Sequence, residues 1–255
     1  AVTVYDSHEE PGGVVRYTIP EYRLPRPVLD REIEFIRRCG VKFKCRTRVG
    51  QELPLKRLED DFDAVFVAIG AQASTPLDVP GLELRGVIQG VTFLEELARD
   101  RRPAIGKRVC VIGAGNVAID AARSARRLGA SVTVAYRRER DDMPAHADEV
   151  RDAELEGVKF AFLAAPRAVL GRQGRVAGLE AVRMIPGDVD FSGRRTPSPS
   201  GESFIIPCET VMLAIGERVD AAFLKPFGIT LRRNGTIDTH PLTLQTSHPK
   251  IYAGG

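Results

Sequence analysis

The run Val109-Cys110-Val111-Ile112-Gly113-Ala114-Gly115-Asn116-Val117-Ala118-Ile119-Asp120 leaves a chain few choices of fold. An apolar run, a G-x-G-x-x-A turn and an amphipathic stretch as far as Leu128 predict a buried strand, a tight turn and a helix. Gly113 permits the turn, and Gly115 lets a ligand approach the backbone closely. Ala118 is small enough for the helix to pack close on the strand. The first N–H groups of that helix, at Asn116 and Val117, have no acceptor within the helix and suit an anion such as a pyrophosphate.

A second strand is predicted over 131–136, and Arg137 and Arg138 follow it. In a dinucleotide-binding βαβ unit the second strand usually ends in an acid that binds a ribose 2′-hydroxyl. Two guanidinium groups suit a 2′-phosphate instead, so the pattern points to NADP rather than NAD. Glycines also serve ordinary turns, and arginine pairs are usually solvated. The strand–turn–helix–strand context and the spacing of the arginines favour the nucleotide reading.

The 255 residues suffice for one large or two modest domains with a real core. With 43% hydrophobic and 28% charged residues, and no apolar run able to span a bilayer, no membrane partner is expected. Residues 1–6 read as a strand rather than a signal peptide. A net charge of +3, without basic residues interleaved with aromatics, argues against nucleic acid as a partner. Cys39, Cys45, Cys110 and Cys208 form no C-x-x-C pair and no metal-ligand spacing. They fit a reducing, cytoplasmic compartment, and no metal site is expected. Cys110, inside an apolar strand, reads as a small buried hydrophobe.

Along the chain, residues 2–6 predict a strand leading into Pro11-Gly12-Gly13. Leu29, Ile33 and Ile36 have helical spacing over 29–39, and residues 41–45 suggest a strand. Asp63-Ala64-Val65-Phe66-Val67-Ala68-Ile69-Gly70 reads as a fully buried parallel strand, and a helix is expected over 91–98. Residues 100–107, charged and containing Pro and Gly, predict a domain boundary. Residues 161–185 suggest a meander or hairpin, 187–201 an exposed loop, and 234–255 a turn, a strand and a final strand. Thr210-Val211-Met212-Leu213-Ala214-Ile215-Gly216 repeats the Ala-Ile-Gly ending of 64–70. The repeat suggests two related nucleotide folds, with Gly70 and Gly216 as candidate cofactor-binding positions.

These segments together resemble the glutamate synthase small-subunit family of two-dinucleotide flavoproteins, over nearly the whole chain. The resemblance rests on Pro11-Gly12-Gly13, Ile19-Pro20-Glu21-Tyr22-Arg23-Leu24-Pro25 and residues 113–120. Tyr136-Arg137-Arg138 with Met143-Pro144-Ala145, and the closing Ala253-Gly254-Gly255, complete it. It implies an α/β chain of two Rossmann-like, doubly wound nucleotide-binding domains in the arrangement of glutathione reductase. Residues 1–99 would be the first part of an FAD-binding domain, 100–217 a complete NADPH-binding domain, and 218–255 the return to the FAD-binding domain. The cofactors implied are FAD and NADPH. Asp6 would bind the ribose of the FAD adenosine, with Gly12, Gly13, Gly254 and Gly255 along the same cofactor.

The family's own first strand and G-x-G-x-x-G turn have no counterpart before Ala1, nor has the acid that follows its closing Ala-Gly-Gly. A fragment cut at both ends, with an incomplete FAD-type domain that retains little flavin, is therefore expected. Residues 2–6, 64–69 and 251–253 should share one parallel sheet. The resemblance implies hydride transfer from NADPH to the flavin, and electrons passed on to an acceptor protein or large subunit. An iron–sulfur domain is expected upstream or in that partner. No side chain need act as acid or base in the hydride step, so no catalytic residue is nominated. His146 and Glu149 read as surface residues opening a helix. The alternative is a non-catalytic NADP-binding module acting only within a larger electron-transfer assembly.

Overall fold

A computed structural model describes residues 1–190 and 193–255. The chain divides into two compact units, residues 1–17, 21–73 and 217–255 in the first, and residues 18–20 and 74–216 in the second. The leading part of the first unit holds β1 (Thr3–Tyr5), α1 (Gly13–Tyr17), α2 (Arg26–Arg38), β2 (Lys42–Lys44), α3 (Leu55–Asp61) and β3 (Val65–Val67). The chain crosses over at β4 (Ala73–Ser74). The second unit then runs through β5 (Val87–Gln89), α4 (Gly90–Ala98), β6 (Arg108–Ile112), α5 (Asn116–Arg127), β7 (Ser131–Tyr136) and α6 (Ala147–Leu155). It continues with β8 (Lys159–Phe162), β9 (Ala164–Arg172), β10 (Arg175–Val189), β11 (Arg195–Ile206) and β12 (Thr210–Leu213). The chain returns at β13 (Glu217–Arg218) and reaches β14 (Ile251–Ala253).

The second unit is built on a five-stranded sheet in the order β5-β12-β6-β7-β8, with parallel pairing throughout. Parallel strands need both faces covered, and alternate residues of β6 and β7 divide accordingly. Val109, Val111, Val132 and Val134 pack with Ala118, Ala121, Ala122 and Ala125 of α5 and with Phe93 and Leu94 of α4. The small side chains of α5 are what let this helix lie against the strands. Cys110, Ile112 and Ala135 face the other way, with Val169, Leu179 and Ala181 of an antiparallel sheet ordered β11-β10-β9. The second face is thus covered by strands rather than by helices.

The domain boundary falls at 73/74, not at 99/100, and residues 100–217 do not make a complete unit. The reason is pairing and packing: β5 is the edge partner of β12, and α4 buries Phe93 and Leu94 in the α5 core. The loop expected over 187–201 is largely strand, since β10 extends to Val189 and β11 starts at Arg195, with Val189 paired to Arg195. The part of that expected loop at 191 and 192 lies outside the described residues. A polar, glycine-containing sequence misleads here because a two-stranded arm buries little, so alternation carries no apolar signal.

In the first unit β1 pairs with β2 and β14 with β3, both parallel, as two separate two-stranded sheets. The single sheet expected to join 2–6, 64–69 and 251–253 does not form among the described residues, because no hydrogen-bonded strand links β1 to β3 and β14. Only Val65–Val67 is strand within the predicted buried run, and Phe66 is 56% exposed. Leu55, Leu58, Val67, Leu224, Ile251 and Ala253 form this unit's core. The strand expected near 234–238 is a single bridge, Leu231 to Ile237, closing the turn at Asn234 and Gly235.

Arg123 ties α5 to α6. Its guanidinium is nearly buried and donates to Glu156 at 2.8 Å, to Asp152 at 3.3 Å and to Glu149. Burial works to raise the Glu156 pKa, but bonds from Arg127 and Arg123 outweigh it and hold it below 4.5. The bond from Arg140 likewise lowers Glu154. A carboxyl whose folded pKa is depressed contributes stability above its unfolded value, and that contribution is lost as pH falls through the folded value. The contribution of these two carboxyls to denaturant resistance should therefore be present above about pH 4.5 and be lost as pH falls below it. In a series of urea titrations Glu156→Gln should flatten the decline, and stability that rises with acid would contradict the assignment.

Candidate functional site

The second unit's candidate site grows from the ends of β6 and β7. Ile112 and Ala135 are register partners, and the Gly113 N–H donates to the Ala135 carbonyl at 3.1 Å. The glycine turn and Arg137 therefore leave the sheet at the same edge. Gly113 has φ +123°, and a Cβ there would lie 2.1 Å from the Ala214 carbonyl oxygen, so only glycine fits. Gly115 differs: its φ is −82°, and a Cβ would find nothing nearer than Pro144 Cγ at 4.0 Å. That position opens onto space beside the first turn of α5, where backbone N–H groups lack helical acceptors.

The Met143–Pro144–Ala145 segment is stitched to this turn. The Ala145 N–H donates to the Ala114 carbonyl at 3.2 Å, and the His146 N–H donates to Asn116 Oδ1 at 3.1 Å. Asn116 thus positions the loop with its side chain while its backbone opens the helix; sequence spacing alone gave no sign of this contact. Val117 is half-buried against the α5 core. His146 is exposed at the start of α6, whereas Glu149 is engaged with Arg123.

The two arginines after β7 part company. Arg137 is exposed and has no hydrogen bond or ion pair among the described residues. Arg138 is buried, with Nε donating to the Arg195 carbonyl at 2.7 Å and Nη2 to Asp190 Oδ2 at 3.0 Å. Expected as twin phosphate ligands, they divide into one available guanidinium and one committed to the β10–β11 arm. The last candidate in this unit, Gly216, has φ +111°, and its carbonyl accepts from the Thr75 N–H at 2.9 Å.

The first unit gathers its own candidates. Asp6 follows β1 and accepts from the His8 N–H at 2.9 Å, and His8 Nδ1 lies 3.1 Å from the same oxygen. His8 stacks on Tyr17 with ring centroids 4.3 Å apart. Gly12 has φ +132°, and a Cβ would meet Arg16 Cβ at 2.9 Å, while Gly13 opens α1. Arg16 is buried, reaching the Pro11 carbonyl at 2.8 Å, Glu10 at 2.8 Å and Asp30. Gly70 has φ +66° with open space around it. A Cβ on Gly254 would meet Phe66 Cζ at 2.9 Å, and Gly255 stands in the open.

Cys110 and Cys208 are buried together, and the hydrogen bond between them, with burial, holds the Cys110 thiol well above its ordinary value. All four cysteines are free thiols. Among the described residues no helix is long and apolar enough to cross a membrane.

The open helix start at Gly115 and the exposed Arg137 guanidinium thus lie at the same edge of the second unit's sheet. Residues 28–255 match the pyridine nucleotide-disulphide oxidoreductase family, and the chain belongs to it. It is 47% identical to the NADP(+)-dependent formate dehydrogenase subunit beta of Moorella thermoacetica, across 100% of this chain and 36% of that protein. It is 35% identical to the glutamate synthase [NADPH] small chain of Escherichia coli, across 99% of this chain and 57% of that protein. The chain thus spans about a third to somewhat over half the length of these relatives. Among solved structures, FprA of Mycobacterium tuberculosis in complex with NADPH superposes with a TM-score of 0.81 at 23% identity, over 100% of this chain and 71% of that one. Thioredoxin reductase of T. acidophilum gives 0.69 at 19% identity, over 100% and 81%. Both share the fold, as the α/β, Rossmann-like reading of the sequence expects.

Proposed function

We propose that this chain is the nucleotide-handling part of an NADPH-dependent flavin oxidoreductase. The second unit binds NADPH, and the first contributes residues to an FAD site. The observation that carries the reading is the open space at Gly115 on the same sheet edge as the exposed Arg137. A pyrophosphate fits the first, accepting from the N–H groups at the start of α5, and a 2′-phosphate fits the second. In the first unit Asp6 is the candidate for a ribose hydroxyl, with Gly12 and Gly13 admitting close approach of the same ligand and Gly254 and Gly255 beside it.

When bound, FAD supplies the acceptor for a hydride from the nicotinamide. This chain's part is to bind and orient. Asn116 holds the 143–146 loop, Gly115 keeps the approach clear, and Arg137 selects the phosphorylated nucleotide. No residue here acts as acid or base in that step. In the longer protein, electrons pass to an acceptor protein or large subunit, with an iron–sulfur centre in that partner or in a neighbouring domain. The subunit names of the relatives support a partner of this kind, and glutamate synthase is one acceptor system that fits. Four free thiols suit a cytoplasmic setting.

Calorimetric titration tests the reading. NADPH should bind at least about tenfold more tightly than NADH, the equivalent of one charge-assisted phosphate contact. Equal affinities would remove the 2′-phosphate assignment, and no binding of either would remove the site.

A further inference from the structure

Two charged side chains are buried where β7 ends, although burying charge is costly unless each is well paired. Arg138 grips the β10–β11 arm through the Arg195 carbonyl at 2.7 Å and Asp190 at 3.0 Å. Asp142 grips the same arm from the other side: its Oδ1 accepts from the Arg195 N–H at 3.0 Å. Asp142 is itself fixed, since its carbonyl accepts from the Tyr136 hydroxyl at 2.7 Å. Both backbone polar groups of one residue, Arg195, are therefore held by buried side chains of the segment that begins at Arg137. The side chain so positioned is a guanidinium. It is 54% exposed and, among the described residues, pairs with Glu139 at 3.2 Å, itself 42% exposed.

We propose that Arg195 is a second specificity-determining residue for the nucleotide 2′-phosphate, brought from the hairpin arm to the side of Arg137 by Arg138 and Asp142. The proposal rests on the NADPH reading above and extends it to a strand distant in sequence. Arg138 and Asp142 are positioning residues that do not touch the nucleotide. Glu139 holds Arg195 through their ion pair. An exposed pair of this kind is weak and screened, so a phosphate dianion competes for the guanidinium easily. Two guanidinium groups facing one phosphate also explain why the arm is anchored at this residue and not merely closed by its own ladder.

The test compares 2′,5′-ADP with 5′-AMP by calorimetry on the full chain, which separates phosphate recognition from hydride transfer. Arg195→Ala keeps the backbone bonds to Arg138 and Asp142, so folding should survive. It should weaken 2′,5′-ADP by about tenfold and leave 5′-AMP unchanged. Arg195→Lys should recover part of the loss. Glu139→Gln, which frees the guanidinium, should tighten 2′,5′-ADP by about threefold. If Arg137→Ala discriminates between the ligands but Arg195→Ala and Glu139→Gln do not, the arm has no part in recognition and the NADPH reading stands. If Arg195→Ala weakens both ligands equally, its role is structural and the proposal fails. If the unaltered protein itself does not prefer 2′,5′-ADP, the NADPH reading fails and the proposal with it.

Discussion

Gly113→Val should unfold the second unit or leave it severely weakened, with a loss of roughly 3 kcal/mol or more. Two effects add. The backbone sits at φ +123°, a region closed to β-branched residues, and the new Cβ would lie 2.1 Å from the Ala214 carbonyl oxygen. That oxygen belongs to the segment just after β12, so relief requires opening the β12–β6 pairing at the centre of the sheet. Gly115→Ala provides the contrast. Its φ of −82° is ordinary and its nearest neighbour is 4.0 Å away, so stability should move by no more than about 0.5 kcal/mol. Nucleotide affinity should nevertheless fall, because the added methyl occupies the approach to the helix start. Denaturant melts read the first effect and ligand titration the second. Equal destabilisation by the two substitutions would show that the turn has one structural role and no open face.

Arg137→Ala should weaken NADPH binding by about tenfold or more while leaving NADH nearly unchanged, since a charge-assisted contact contributes roughly 1.5–3 kcal/mol. Arg137→Glu should reverse the preference, because a carboxylate repels the phosphate and can accept from a ribose hydroxyl. Raising the salt concentration should erode the wild-type preference, as expected for an exposed charge. Arg138→Ala is a different experiment. It removes the bonds to Asp190 and to the Arg195 carbonyl and loosens the β10–β11 arm, so a stability loss should accompany any change in affinity. Loss of NADH and NADPH binding in equal measure by Arg137→Ala would show that Arg137 does not read the 2′-phosphate.

The βαβ unit was legible in the sequence because two signals coincide there. The apolar runs of β6 and β7 mark buried strands, and Gly113 marks a turn that no other residue can make. The α5 boundaries follow from the same glycines, and α4 from its apolar spacing. The separate fates of Arg137 and Arg138 were not legible. They are set by Asp190 and Arg195, more than fifty residues away, through bonds that leave no periodic trace. The misplaced domain boundary has a similar origin. β5 is only Val87–Gln89, too short for a period, and its membership is decided by β12 far along the chain. The outer part of the arm, 187–201, reads as a loop in the sequence because it is polar and rich in Gly, Ser, Pro and Arg.

The second unit is an insertion within the first, entered at 73/74 and left at 216/217. Its own two ends meet: the Thr75 N–H donates to the Gly216 carbonyl at 2.9 Å. For an unfolded insertion of this length, bringing the flanking segments together would cost on the order of 4 kcal/mol in closure entropy. Once the second unit has folded, the Thr75–Gly216 bond holds its two ends together and that cost is already met. The inserted unit should therefore form first, and the discontinuous one assemble after it. Pulse-labelled hydrogen exchange should accordingly show β6 and β12 protected before β14.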